Sequence, residues 1–136
     1  PSAEVSYVKM ESTSDVIALR TRGYTDEKEK STRARKVQEN AEKRAMEHLL
    51  FKGIPNSPQR EPLLQDADVR SAHGAYFRQF FEEMEYRNFI TSSSLAIGPI
   101  EDEGLHLYTG FADVRINLRS LRRELKDAGV MPKFGL

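Results

Sequence analysis

The chain has 136 residues, no cysteine, and 21 basic against 21 acidic side chains, so its formal charge at neutral pH is zero. That length holds one domain with a real core. Without cysteine there are no disulfides, no thiolate zinc sites and no cysteine nucleophile, and the even charge leaves no global field to draw the protein to nucleic acid or an anionic membrane.

In chain order, Val5 to Glu11 alternates weakly and Val16 to Arg22 clearly, with Ile17, Leu19 and Thr21 on one face and Ala18, Arg20 and Arg22 on the other. Each stretch predicts a strand, and Ser12 to Asp15 between them is either a hairpin turn or a bulge in one long strand. Gly23 and Tyr24 lead into a long amphipathic helix running from Thr25 to Pro55. Asp26 is its expected cap, Glu29 completes an Asp version of the capping box, and Gly53 with Pro55 is the expected stop. Ala34, Val37, Ala41, Ala45 and His48 or Leu49 recur at helical spacing on one narrow face, which predicts a helix lying close against a sheet. That face broadens into Leu49, Leu50 and Phe51. Glu29 with Arg33, Arg35 with Glu39 and Glu39 with Lys43 are spaced for surface ion pairs.

A surface loop with Pro58 and Pro62 follows, then a second helix over Asp68 to Met84 whose stripe is Val69, His73, Phe77, Phe80, Phe81 and Met84. Phe89 to Ile100 returns to period two, with Phe89, Leu95 and Ile97 inward, and Glu101 to Gly104 is the turn of a hairpin. In the returning arm Leu105 and Leu107 face one way while Ala112, Val114 and Ile116 continue on the opposite parity, so a bulge is expected near Gly110. Asn117 caps a last helix with Leu118, Leu121, Leu125 and Ala128 on its buried face, ended by Gly129 and Pro132. The sum is a single α+β domain over 1–136: a mostly antiparallel sheet of three to four strands with a long helix and two further helices packed on one face, in the order β(β)ααββα.

Chemistry is sparse. His48, His73 and His106 have no metal-ligand spacing, there is no phosphate loop, no GxGxxG after a strand and no GxSxG elbow, and the SxxK match at Ser6 and Lys9 lies on an alternating strand that sends the two side chains to opposite faces. The expectation is no catalytic residue, no metal and no cofactor, with the chain non-enzymatic. Asp113 stands in an apolar strand, where a solvent-face position is expected over a catalytic acid. Thr109 to Ile116 overlaps the RNA-binding RRM signature but places Asp113 and Ile116 where base-stacking aromatics belong, so nucleic acid is not the expected partner. Arg119, Arg122, Arg123 and Lys126 form a basic stripe on the last helix, with Arg115 just before it: a solvated face, or a contact for an anionic partner. Tyr76, Tyr86 and Tyr108 are candidate protein contacts, as is an edge strand near Val5.

The segments RTRGYT, QENAEKRAMEHLLFKGIP, PLL, AYFRQFF and VRINLRSLRREL resemble a group of uncharacterised envelope proteins of Bacteroidetes, often predicted lipoproteins, and are more distantly similar to the small domain of flagellar-assembly lipoproteins of the FlgP and FlgT type. The resemblance implies an α+β fold, a periplasmic or outer-membrane-tethered setting, and a lipidated cysteine ahead of Pro1. The chain shows no signal peptide and begins at Pro1 without methionine, which reads as a processed or trimmed form. The expected function is a protein-interaction or assembly module binding envelope proteins or itself. The alternatives are a small-ligand or enzymatic pocket between the Phe77–Phe81 helix and the Ser92–Ser94 strand, or anionic lipid or nucleic-acid binding through the terminal helix.

Overall fold

The structure, a computed structural model, describes residues 4–133. Four antiparallel strands form one sheet in the order β1-β2-β4-β3, with β1 at Val5–Tyr7, β2 at Val16–Thr25, β3 at Ile90–Asp102 and β4 at Leu107–Asn117. The helices are α1 at Arg33–Phe51, α2 at Val69–Ala72, α3 at Gly74–Glu82 and α4 at Leu118–Asp127. This is the α+β architecture that the alternation of periods predicts.

One face of the sheet carries Ile17, Leu19 and Thr21 from β2 and Ala112, Val114 and Ile116 from β4, all buried. Against it lie Val37, Ala41, Ala45 and Leu49 of α1, each with no exposed surface. Ala34, expected in the same row, is exposed. The closeness of the contact depends on two glycines paired across the ladder, Gly23 and Gly110. A Cβ on Gly23 would stand 2.1 Å from the Val37 carbonyl oxygen and 2.8 Å from the Ala41 nitrogen. One on Gly110 would stand 2.3 Å from the Ile97 carbonyl oxygen and 3.1 Å from Val37 Cγ1.

The start of α1 differs from expectation. Asp26 and Glu29 make no capping box: β2 runs on to Thr25 to pair with Tyr108, a 3₁₀ turn over Lys30–Thr32 follows, and the α-helix begins at Arg33. Glu29 is extended, at φ −75° and ψ 110°, so no helical turn forms behind Asp26. Arg33 turns back to donate to the carbonyls of Glu27 and Lys28 at 2.9 and 3.0 Å, so its expected pairing with Glu29 is replaced, while Arg35 and Glu39 do meet at 3.3 Å. Tyr24 donates its backbone N–H to Asn40 Oδ1 at 2.8 Å, fastening strand to helix. Gly53 stops the helix at φ 85°, as expected.

The second predicted helix is two. It breaks at His73, whose φ and ψ of −119° and 43° are not helical, and resumes from Gly74. The aromatic stripe survives the break: Phe77, Phe80 and Phe81 are buried, with Phe51 edge-on to Phe77 at 5.4 Å between ring centroids. Met84 closes α3 in the left-handed region at φ 58°.

The expected bulge at Gly110 is absent. Strand β4 pairs with β2 without a register shift from Tyr108 to Asn117, and the irregularities fall on β3 between Ile90 and Ser92, Leu95 and Ile97, and Ile97 and Ile100. An extra residue in central β4 would disturb two ladders, whereas in edge strand β3 it disturbs one. The shift after Leu95 also turns Ile97 to the outer face opposite Phe111, where it is 44% exposed rather than inward. The cap of α4 is as expected, Asn117 Oδ1 accepting from the Ser120 N–H at 2.9 Å, with Leu118, Leu121 and Leu125 buried and Ala128 exposed.

Glu42 is the one acidic residue among the buried side chains, 1% exposed on α1. Arg87 Nε lies 3.2 Å from its Oε1, but the N–H points off the line a hydrogen bond needs, and both carboxylate oxygens lack a hydrogen-bond partner. Removing the cation leaves that charge uncompensated.

Two stability predictions follow from this packing. Gly23→Ala forces α1 off the sheet and should cost about 1–3 kcal/mol or more, read as a lower urea midpoint, whereas a midpoint equal to wild type would show that the helix has room to give. Arg87→Ala should cost about 1–3 kcal/mol, and replacing Glu42 by Met in that background should recover most of it. Failure of the second change to rescue would mean that Arg87 acts through its stem and not its charge.

Candidate functional site

The β1–β2 loop and the start of α4 are tied together by the Leu118 N–H, which donates to the Asp15 carbonyl at 2.8 Å. This places Ser14 and Asp15 beside the polar face of α4. At the far end Gly129 adopts φ 78°, and the N–H groups of Val130 and Met131 both return to the Leu125 carbonyl at 3.0 and 3.2 Å. The chain therefore folds back, and Lys133 joins the same face. The result is a groove of about 520 Å³ lined by Arg119, Arg122, Arg123, Lys126 and Lys133, with Ser14, Asp15 and Asp127 completing the walls.

Among the described residues, Arg122, Arg123, Lys126 and Lys133 are in no ion pair, and Arg119 approaches Asp15 only loosely, at 3.8 Å with both side chains largely exposed. Arg122 is oriented by a hydrogen bond to Gln59 Oε1, from the loop after α1. One guanidinium edge is so held while the other donors remain open to the groove. The lining can hold a carboxylate or phosphate group by charge-assisted hydrogen bonds.

Four of the five basic residues singled out in the sequence thus share one groove. Arg115 does not join them. It points from β4 onto the outer sheet face and pairs with Glu11, because it lies one residue beyond the inward Val114 and shares its parity with Asp113. Asp113 is on that outer face too, taking two hydrogen bonds from Arg20 at 2.8 and 3.0 Å. Those bonds hold its carboxyl below the ordinary range, the opposite of what a catalytic acid would require.

The tyrosines do not form one surface. Tyr86 is 2% exposed and belongs to the core, against Phe80 and Phe81, so it cannot meet a partner. Tyr76 is half-buried and donates to Glu124 Oε2 at 2.8 Å, which fastens α3 to α4, and burial raises its phenol. Tyr108 lies under the Arg33 guanidinium, 3.8 Å from its ring centroid. The edge strand near Val5 is three residues long, and Val5 itself is buried.

The histidines sit apart, on α1, at the α2–α3 break and in the β3–β4 turn, and no group of three or more His, Asp or Glu able to hold a metal occurs among the described residues. The rings of Phe77 and Phe80 fill the core, and the Ser92–Ser94 run lies on β3, where Ser93 accepts from Gln38 at 3.0 Å. None of the grooves described here joins the two. No helix of the described residues is long and apolar enough to cross a membrane.

Lys133, Ser14 and Gln59 carry no sequence signal as a set. Ser14 is brought in by the tertiary tie between Asp15 and Leu118, Gln59 by its bond to Arg122, and Lys133 by the local fold-back at Gly129.

Burial, then the nearby charge of Glu42, pushes the Tyr86 phenol up to about 12 from 10.0. The unfolded chain therefore ionises this phenol first, so its contribution to stability is complete below pH 10 and is lost as pH rises toward 12. Urea denaturation across that window should show wild type weakening with pH and Tyr86→Phe weakening less. Equal slopes for the two would contradict the assignment.

No protein-family model, curated protein or solved structure matches this chain, so the reading of the groove rests on its own geometry.

Proposed function

We propose that this chain is a non-enzymatic protein-interaction module whose docking site is the α4 groove, and that its partner presents an acidic group there. The observation that carries this is the convergence of Arg122, Arg123, Lys126 and Lys133 on one groove, none of them in an ion pair among the described residues, in a chain whose overall formal charge is zero. Other bases meet acids, as in Arg20 with Asp113 and Arg44 with Glu4, and those that do not among the described residues, such as Lys9, Lys52 and Arg78, lie on or beside separate elements, so it is the convergence of four that marks the groove. Cations left unmatched beside one another repel, and an incoming anion relieves that repulsion.

Protein is favoured over a phosphate polymer because Asp15 and Asp127 interrupt the lining. A continuous phosphate backbone would meet both carboxylates, whereas a discrete acidic segment can avoid them. An envelope setting, implied by the sequence resemblance, belongs to the same proposal.

A fluorescent Asp- and Glu-rich peptide should bind the protein, weaken as salt rises, and lose about tenfold or more in affinity, some 1.4 kcal/mol, when Arg122 and Arg123 are both changed to Glu. Peptide binding indifferent to that charge reversal would refute the site. Duplex DNA or phosphatidylglycerol vesicles binding more tightly than the peptide would transfer the groove to a phosphate partner.

A further inference from the structure

Three concavities meet at one side chain. Besides the basic groove, a narrower slot of about 140 Å³ opens between the β1–β2 loop and the first turn of α4, its apolar lining Tyr7, Ile17, Pro58 and Leu118 and its polar lining the serines and threonine of residues 12–14 with Gln59. A third depression runs along Pro62, Leu63 and Met131. Arg122 alone lines all three, and Ser14 is shared by the slot and the basic groove. Ile17 and Leu118, at 2% and 7% exposed, belong to the core, so the slot is backed by packed apolar side chains. Its volume is close to the roughly 150 Å³ of an apolar cavity that accepts benzene, the scale of one leucine or phenylalanine side chain.

We propose that this junction receives the C-terminal residue of a partner protein, its carboxylate on Arg122 and its apolar side chain in the slot. This rests on the reading of the α4 groove as a docking site for an acidic protein segment, and it names the segment. The step is geometric. The cation and the apolar walls adjoin, so the ligand must carry an anion and an apolar group almost on the same atom. Neighbouring residues of an extended peptide point to opposite faces, and an acidic residue next to an apolar one would present only one of the two groups. In a terminal residue the carboxylate and the side chain share a Cα. The planar guanidinium, oriented by its bond to Gln59, which also lines the slot, suits a carboxylate in a two-pronged contact, and capture of a chain end by such a group is a known mode of peptide recognition.

The test uses the full chain and a labelled Gly/Ser peptide ending in leucine with a free carboxylate, beside the same peptide amidated and one ending in glycine. The free leucine end should bind at least tenfold more tightly than either. Pro58→Trp, at an exposed rim position, should abolish the preference for leucine over glycine while leaving the Asp- and Glu-rich peptide bound. Tyr7→Ala should widen the slot and shift the preference toward phenylalanine. Equal binding of the amidated and free-acid peptides, or a leucine preference that survives Pro58→Trp, would overturn the assignment. So would free leucine binding as tightly as the peptide, which would make this an amino-acid site. If the acidic peptide binds and the leucine-ended one does not, the terminal-residue inference fails and the module reading stands. If neither binds, both fail.

Discussion

Everything in this fold is placed by how near α1 can come to the sheet. Gly23 and Gly110 face one another across the two central strands, and with no side chain between them the helix backbone at Val37 and Ala41 descends onto the strand backbone. Such a contact gains dispersion across closely packed atoms and gives up the apolar area that larger residues would have buried. The chain recovers that area at the other end of α1. There Leu49 and Leu50 are fully buried, and Phe51 joins Phe77 in the aromatic cluster with Phe80, Phe81 and Tyr86. The helix is close-fitting where it crosses the glycines and thickly packed at its end, where the aromatic rings of α3 gather beside Phe51.

That asymmetry sets which surfaces are available. The inner face of the sheet is taken, and the outer face is closed electrostatically by side chains that satisfy one another: Arg20 with Asp113, Arg115 with Glu11, and Arg22 stacked between Tyr24 and Phe111. Its edges are also protected. Strand β1 is three residues long, and β3 is interrupted by register shifts and by the Gly98–Pro99 segment, which are devices that discourage further strand pairing. Among the surfaces that remain is the polar side of α4, where several basic residues without an ion pair among the described residues stand together.

Periodicity in the sequence captured the elements whose partners are local or repeat along one face. The strands Val16 to Arg22 and Ala112 to Ile116, the leucine face of α4 and its Asn117 cap all follow from spacing and from a side chain reaching its own backbone. The helix stop at Gly53 belongs to the same class. The departures share a different cause, competition between a local signal and a distant partner. Asp26 has a good capping sequence, yet β2 pairs with β4 as far as Thr25 and Tyr108, eighty-odd residues apart, and the chain stays extended to Glu29 before any helical turn begins. Gly110 has the look of a bulge residue, yet β4 lies between two strands, so the irregularity moved to β3 and Ile97 changed faces. Glu42 and Met46 lie on the buried side of α1 without fitting its small-residue row, since α1 touches a third body of structure around Tyr86 and Arg87 that no single-helix pattern contains.

The site divides in the same way. Arg119, Arg122, Arg123 and Lys126 follow from helical spacing opposite Leu118, Leu121 and Leu125, so the basic stripe is written in the sequence. Its character as a groove is not, because the opposing wall comes from Ser14 and Asp15, about a hundred residues earlier. The difference matters physically. A stripe on a convex helix faces open water, where each cation is solvated and an anion gains little. The loop tie at Leu118 and the fold-back at Gly129 narrow that water into a cleft, and Gln59 fixes one guanidinium in place. Less side-chain freedom would then be lost on contact with an anion, which is the physical ground on which the proposed docking role of these four charges rests.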